Sequence, residues 1–158
     1  MNVRALAAIL GVGLLIGAMP AGAADTPEPA PATRADPLAT ARKHVEARQW
    51  AAAIAALRQV NASGSADWNN LMGYALRKQA SPDLDGAQRH YDAALRIDPR
   101  HQGALEYSGE LALMKGDLTT AEARLGTLSS LCRSPCEALD DLQKAVGRYK
   151  ANGNRWQP

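Results

Sequence analysis

Apolar side chains recur along this chain on two scales. Over a few residues they fall three and four apart: Trp68, Leu71, Met72, Ala75 and Leu76 make one apolar face of a helix, with polar residues between them. Leu84, Ala87, Tyr91, Ala94, Leu95 and Ile97 make a second face, and Leu105, Leu111, Ala112 and Leu113 a third. Over a longer scale apolar residues return at a fixed step. Trp50, Leu84 and Leu118 are 34 residues apart, and so are Ala53, Ala87 and Ala121, then Leu57, Tyr91 and Leu125, then Val60, Ala94 and Leu128. Four series in one register predict three copies of a helical hairpin, a unit that cannot bury its apolar face without a neighbour.

Turn residues punctuate the copies. Asp83 stands where it can cap the helix that follows Ser81-Pro82. Asp98-Pro99 ends that helix, because the residue before a proline is pushed out of the helical region. Gly116-Asp117 is a helix stop followed by a start. Gly73 to Leu84 is 11 residues where Gly109 to Leu118 and Ala41 to Trp50 are 9, so two extra residues near Ser81-Pro82 lengthen one turn. After the third copy, Ser134-Pro135-Cys136-Glu137 predicts one more helix, with Ser134 at the N-cap, Pro135 in the first turn and Glu137 three residues after the cap. Leu139, Leu142, Val146 and Tyr149 give it an apolar stripe, and Asp140, Asp141, Lys144, Arg148 and Lys150 a polar face, the pattern of a helix that closes the open end of a stack. Asn152-Gly153-Asn154 reads as a fraying end, and residues 151–158 as a disordered tail.

The first residues have a different pattern. Arg4 is followed by an apolar run from Ala5 to Met19 and by the small residues Ala21-Gly22-Ala23, which predicts a secretory signal peptide over 1–23, cut after Ala23 or Ala24. The alternative is an uncleaved membrane anchor, for which the run is short of the roughly 20 residues a span needs. Residues 24–36 are rich in Pro, Ala, Thr and Glu, which cannot build a packed element and predict an extended tether. What remains is one domain's worth of chain, enough for seven helices around one continuous core. Of the 18 basic residues one, Arg4, goes with the leader, leaving 17 against 16 acidic ones. That balance, with no basic run, argues against nucleic acid as a partner.

On these residues the chain resembles the tetratricopeptide repeat family, in the form of a small exported bacterial protein. The second copy carries the likeness in Trp68, Met72, Gly73, Leu76, Leu84, Ala87, Tyr91, Ala94, Leu95, Ile97 and Pro99. The third carries it in Leu105, Gly109, Gly116, Asp117, Leu118, Ala121, Leu125 and Leu128, with Cys132 near the position of Pro99. The first is the weakest, keeping Ala41, Trp50, Ala53, Leu57 and Val60 without the glycine. The resemblance implies an all-α solenoid of three helix-turn-helix repeats over 37–66, 67–100 and 101–134, closed by a capping helix over 135–150. It implies close helix approach at Gly73 and Ala87 and at Gly109 and Ala121. It also implies that the first helix of each pair lines a concave groove. Carried over by position, that groove takes Arg42, Val45 and Glu46 from the first copy, Asn70, Tyr74, Arg77 and Lys78 from the second, and Glu106, Glu110, Leu113 and Met114 from the third, with His101 at the edge. The expected surface has a basic middle, an acidic flank and one aromatic side chain, suited to peptide backbone and carboxylate groups. The Lys and Asn pattern with which some members of the family clamp chaperone tails is not reproduced.

Cys132 and Cys136, the two cysteines of the chain, flank the corner before the capping helix. In an exported protein this spacing predicts a disulfide that fixes the corner. Redox chemistry is the alternative, with Cys136 activated in a helix first turn, and a two-thiolate copper site is a third. His44, His90 and His101 are spread over the copies and read as surface side chains. Glu106 and Glu110 form an i, i+4 carboxylate pair, read as ligand contacts or a solvated acidic stripe. No nucleophile stands beside a base, and neither enzymatic activity nor a cofactor is expected. The expected role is an exported, periplasmic adaptor, monomeric or weakly oligomeric, that holds an unknown protein or peptide, with a thiol-disulfide or copper-handling factor as the alternative.

Overall fold

The computed structural model describes residues 35–133 and 135–157, which form one compact unit. Among the described residues there are seven helices and no strand: α1 (Ala39–Glu46), α2 (Trp50–Val60), α3 (Ala66–Lys78), α4 (Leu84–Ile97), α5 (Gln102–Met114), α6 (Leu118–Leu131) and α7 (Glu137–Ala151). The segments read as leader and most of the tether lie outside the described residues. No helix is long and apolar enough to cross a membrane, among the residues searched.

The 34-residue step is a step between helix starts: α2, α4 and α6 begin at Trp50, Leu84 and Leu118. The residue before each is its N-cap. Asp83 Oδ1 accepts the Gly86 N–H at 2.8 Å, and Asp117 Oδ1 accepts the Thr120 N–H at 2.9 Å, satisfying amides that a helix start leaves unpaired. Gln49, at the same place in the first copy, makes no side-chain cap. One position earlier, Gly116 turns left-handed at φ +82°, and the Asp117 N–H returns to the Ala112 carbonyl at 2.8 Å, closing α5 by a Schellman motif. Arg48 occupies that place in the first copy with φ +56° and the same closure, from Gln49 N–H to the His44 carbonyl at 2.8 Å. A side chain there meets steric cost that glycine escapes.

Each helix packs on the next, and α1, α3, α5 and α7 also touch in succession, whereas α2, α4 and α6 do not touch one another. The odd-numbered helices therefore form a continuous inner row. The core lies in three clusters in series rather than in one mass: α1 to α3 around Leu57, Trp68 and Met72; Ala87, Tyr91 and Leu111 in the middle; and α5 to α7 around Leu105, Leu113, Leu128 and Leu142. Leu76 bridges the first two. α5 is buried around most of its circumference, which is why its apolar periodicity is blurred.

Several expected contacts shift once the helices are packed. Ile97 is 46% exposed although it continues the buried stripe of α4, as the last residue of a helix whose buried contacts end with Ala94 and Leu95. Leu113 faces the core with no exposed surface, and Val45 packs on the first cluster, so neither belongs to a groove. Gly73 and Gly109 make room for side chains rather than for backbone. A Cβ on Gly73 would stand 2.7 Å from the Tyr91 ring, and one on Gly109 would stand 2.7 Å from Leu142 of α7.

At the C-terminal end the disulfide Cys132–Cys136 is present. A ring this small removes roughly 2 kcal/mol of chain entropy, and with Cys136 buried and Cys132 packed on the last cluster it pins the start of α7 to the end of α6. The helix begins later than its sequence signal: Cys136 holds the N-cap position without a side-chain bond and Pro135 precedes the helix, while Ser134 lies outside the described residues. The expected fraying end is instead a closed one. Gly153 turns left-handed and the Asn154 N–H reaches the Tyr149 carbonyl at 2.9 Å. Beyond it, in the expected tail, Trp156 is half-buried and packs on the last core cluster.

Two substitutions test this packing. Gly73→Ala raises helix propensity by about 1 kcal/mol but drives a methyl into the fully buried Tyr91 ring, an overpacking cost of about 1 to 3 kcal/mol; the urea midpoint is expected to fall. Arg48→Gly relieves the left-handed strain and is expected to raise the unfolding free energy by about 1 kcal/mol, and with it the urea midpoint; an unchanged or lower midpoint would contradict this account of the α1–α2 turn.

Candidate functional site

Three consecutive helices of the inner row enclose a cavity of about 480 Å³. α3 contributes Tyr74, Arg77 and Lys78, α5 contributes Gln102, Gly103, Glu106, Tyr107 and Glu110, and α7 contributes Glu137, Ala138 and Asp141. A second hollow of about 310 Å³ adjoins it, sharing Arg77, Lys78 and Glu110 and adding Gln79, Pro82, Met114, Arg148 and Trp156.

Of the residues expected from sequence, Tyr74, Arg77, Lys78, Glu106 and Glu110 line the first cavity and Met114 the second. Asn70 is buried beneath the wall, with its Nδ2 against Gly103. His101 caps α5 by accepting the Ala104 N–H at Nδ1, and its Nε2 lies 2.9 Å from Asp67 Oδ1, so it is a structural link between α3 and α5 rather than a groove edge. His90 is likewise engaged, 3.0 Å from Asn69 Oδ1 and edge-on to Trp68, and burial lowers its pKa. Arg42 is held by Asp36 and Asp67, and neither it nor Glu46 lines either cavity.

The expected basic middle is absent as a surface. Arg77 is drawn inside, with its side chain 2% exposed, and its Nη2 lies 2.6 Å from Glu110 Oε2. That approach is an ion contact off the line of the N–H, so Nε and Nη2 have no aligned acceptor. The guanidinium sits 5.7 Å from the Tyr74 ring centre and 5.6 Å from that of Tyr107, close enough for cation–π attraction. Burial opposes its charge, but Tyr91, Glu110 and Tyr74 outweigh it and its pKa is raised. Aromatic contact runs on from there: Trp50 meets Tyr74 edge-on at 5.8 Å, Tyr74 meets Tyr107 at 4.6 Å, and Tyr107 meets Tyr91 at 6.4 Å. Burial raises the pKa of all three tyrosines, so they are neutral at physiological pH. Lys78, at the rim, has its Nζ 5.7 Å from the Tyr74 ring and its pKa lowered, by burial first and by Arg77 next.

The opposite wall is acidic. Glu106 is 9% exposed and its pKa is pushed up to about 8, by burial first and then by Glu110, Asp141 and Glu137, with Arg77 opposing. In the sequence pattern Glu137 belongs to the capping signal of α7 and Asp141 to its polar face, and Tyr107 is not among the expected groove residues. The i, i+4 spacing of Glu137 and Asp141, matching that of Glu106 and Glu110, was the available signal, but pairing the two helices required the fold. Among the described residues no three His, Cys, Asp or Glu side chains gather as a metal site. No protein-family model and no curated protein matches the chain.

Because the folded state raises the Glu106 pKa from 4.5 to about 8, it favours the protonated carboxyl. The resulting stabilisation is complete below about 4.5 and is lost as pH rises through about 8. Glu106→Gln keeps the neutral shape, so the decline in urea midpoint from pH 5 to pH 8.5 is expected to be shallower in the variant than in the native chain. Parallel declines would show that Glu106 is not held neutral.

Proposed function

We propose that the chain is an exported adaptor, a tetratricopeptide-like helical repeat that holds a segment of another polypeptide in the groove between α3, α5 and α7. The observation that supports this most is the cavity itself. Its walls come from three successive inner helices, and they present tyrosine rings, whose large area and few rotatable bonds suit contact surfaces. Charged groups at the rim set the orientation of what binds. Export is supported by the leader-like pattern over 1–23 and by the Cys132–Cys136 disulfide, a bond that persists in oxidising compartments such as the periplasm. The composition of residues 24–36, rich in Pro, Ala, Thr and Glu, fits a tether. The thiol-exchange reading gains less support, because the two cysteines are joined to each other, with Cys136 buried and Cys132 packed on the last core cluster.

The test is site-specific cross-linking in the native compartment. A photoreactive residue in place of Tyr74 is expected to give discrete protein adducts, and the same residue in place of exposed Arg89 on α4 is not. Gln102→Trp, which narrows the mouth of the cavity, is expected to remove most of the Tyr74 adducts. Adducts that persist in that variant, or that form equally from position 89, would remove the groove as the binding site. Charge reversal at Arg77 is no test, since a carboxylate there would be buried beside Glu110.

A further inference from the structure

We infer that the groove receives a lysine or arginine side chain of the bound segment, seated between the Tyr107 ring and the carboxylates of α5 and α7. This rests on the groove reading above. The ionisable groups facing the cavity do not balance: the carboxyls of Glu106, Glu110, Glu137 and Asp141 stand against the cations Arg77 and Lys78. Glu110 is engaged by Arg77, and Asp141 shares an exposed pair with Lys144, but no ion pair holds Glu106 or Glu137 among the described residues. Burial first, and this acidic surplus second, hold a proton on Glu106, which lessens the surplus. A cation entering the groove does the same work from outside, and the proton leaves as it arrives.

Arg77 supplies an independent indication. It lines both hollows, is almost wholly buried, and has Nε and Nη2 without an aligned acceptor. Buried guanidinium groups in folded proteins have their N–H groups taken up. A residue of an extended segment brings a backbone carbonyl next to its own side chain, so one basic residue offers an acceptor toward Arg77 together with a cation toward Glu106 and Glu137. Tyr107 adds a ring face, and cations are attracted to such faces most strongly where water is scarce. The carboxylates are spread over two helices rather than gathered around a point, which suits the delocalised or mobile charge of a side chain.

The experiment uses the full chain, immobilised, and a library of blocked hexapeptides whose retained members are sequenced. Lys- and Arg-containing peptides are expected to be enriched about tenfold over the input, the equilibrium equivalent of one charge-assisted contact. The enrichment is expected to fall toward the input level in Glu106→Gln and to fall in Asp141→Asn, and to survive in Glu46→Gln, an exposed carboxylate outside the groove. Asp141→Asn is half-exposed and run separately, with helicity checked, so that a folding defect in Glu106→Gln does not decide the result. Basic enrichment that is unchanged in both groove variants overturns the inference. Retention of neutral or acidic peptides that is lost in Gln102→Trp also overturns it, while leaving the groove reading in place. No retention at all, or retention indifferent to Gln102→Trp, removes both.

Discussion

A helix buried on most of its circumference cannot keep its polar side chains in water, and α5 is such a helix. Packed against α3, α4, α6 and α7, it carries Glu106 and Glu110 into a place where one carboxyl is held neutral and the other must be met by a cation. Arg77 from α3 meets it, and in doing so leaves the surface. The groove, its acidic wall and its buried guanidinium are all consequences of that one enclosure. The ion contact is not a source of net stability in itself, since taking two charges out of water costs about as much as their attraction returns. It instead ties α3 to α5 in one arrangement and sets Tyr74 against Tyr107.

The same enclosure explains where the glycines fall. Tyr91 lies across Gly73 and Leu142 lies across Gly109, so each glycine marks the seat of a large side chain from a neighbouring helix. Tyr91 comes from the partner within the hairpin and Leu142 from the helix beyond it. One 36-residue offset in sequence thus serves two different packings, which a repeat seen only as a pattern does not reveal. The three copies are also unequal in the devices that hold their turns. Asp83 and Asp117 cap the helices that follow them, while Gln49 does not, and Arg48 bends left-handed at the position where the third copy has glycine.

The last helix illustrates how a part can look like one thing in sequence and be two in the folded chain. Its apolar stripe of Leu142, Val146 and Tyr149 covers the end of the core, as the pattern of the sequence indicated. Its acidic residues Glu137 and Asp141 face the groove rather than open solvent alone, and Trp156 beyond its C-terminus packs back and helps line the second hollow. The disulfide at the start of α7 fixes the position of those two carboxylates along with the cap.

The sequence by itself determined that the chain is helical, the starts of α2, α4 and α6, and most of the apolar positions that point inward. Those depend on local forces: the 3.6-residue period of burial, the capping oxygen of an aspartate, the freedom of Gly116. Five of the side chains lining the main cavity follow from the resemblance to tetratricopeptide repeats, which implies the face of α3 and α5 that lines a groove. Only the tertiary structure decided which of those side chains stay exposed and what they meet. Burial of Arg77 and Leu113, neutrality of Glu106 and the addition of Tyr107, Glu137 and Asp141 depend on distances between residues about 30 to 60 positions apart, set by how deeply α5 sinks between its neighbours. A periodic pattern records the direction of a side chain and not that depth.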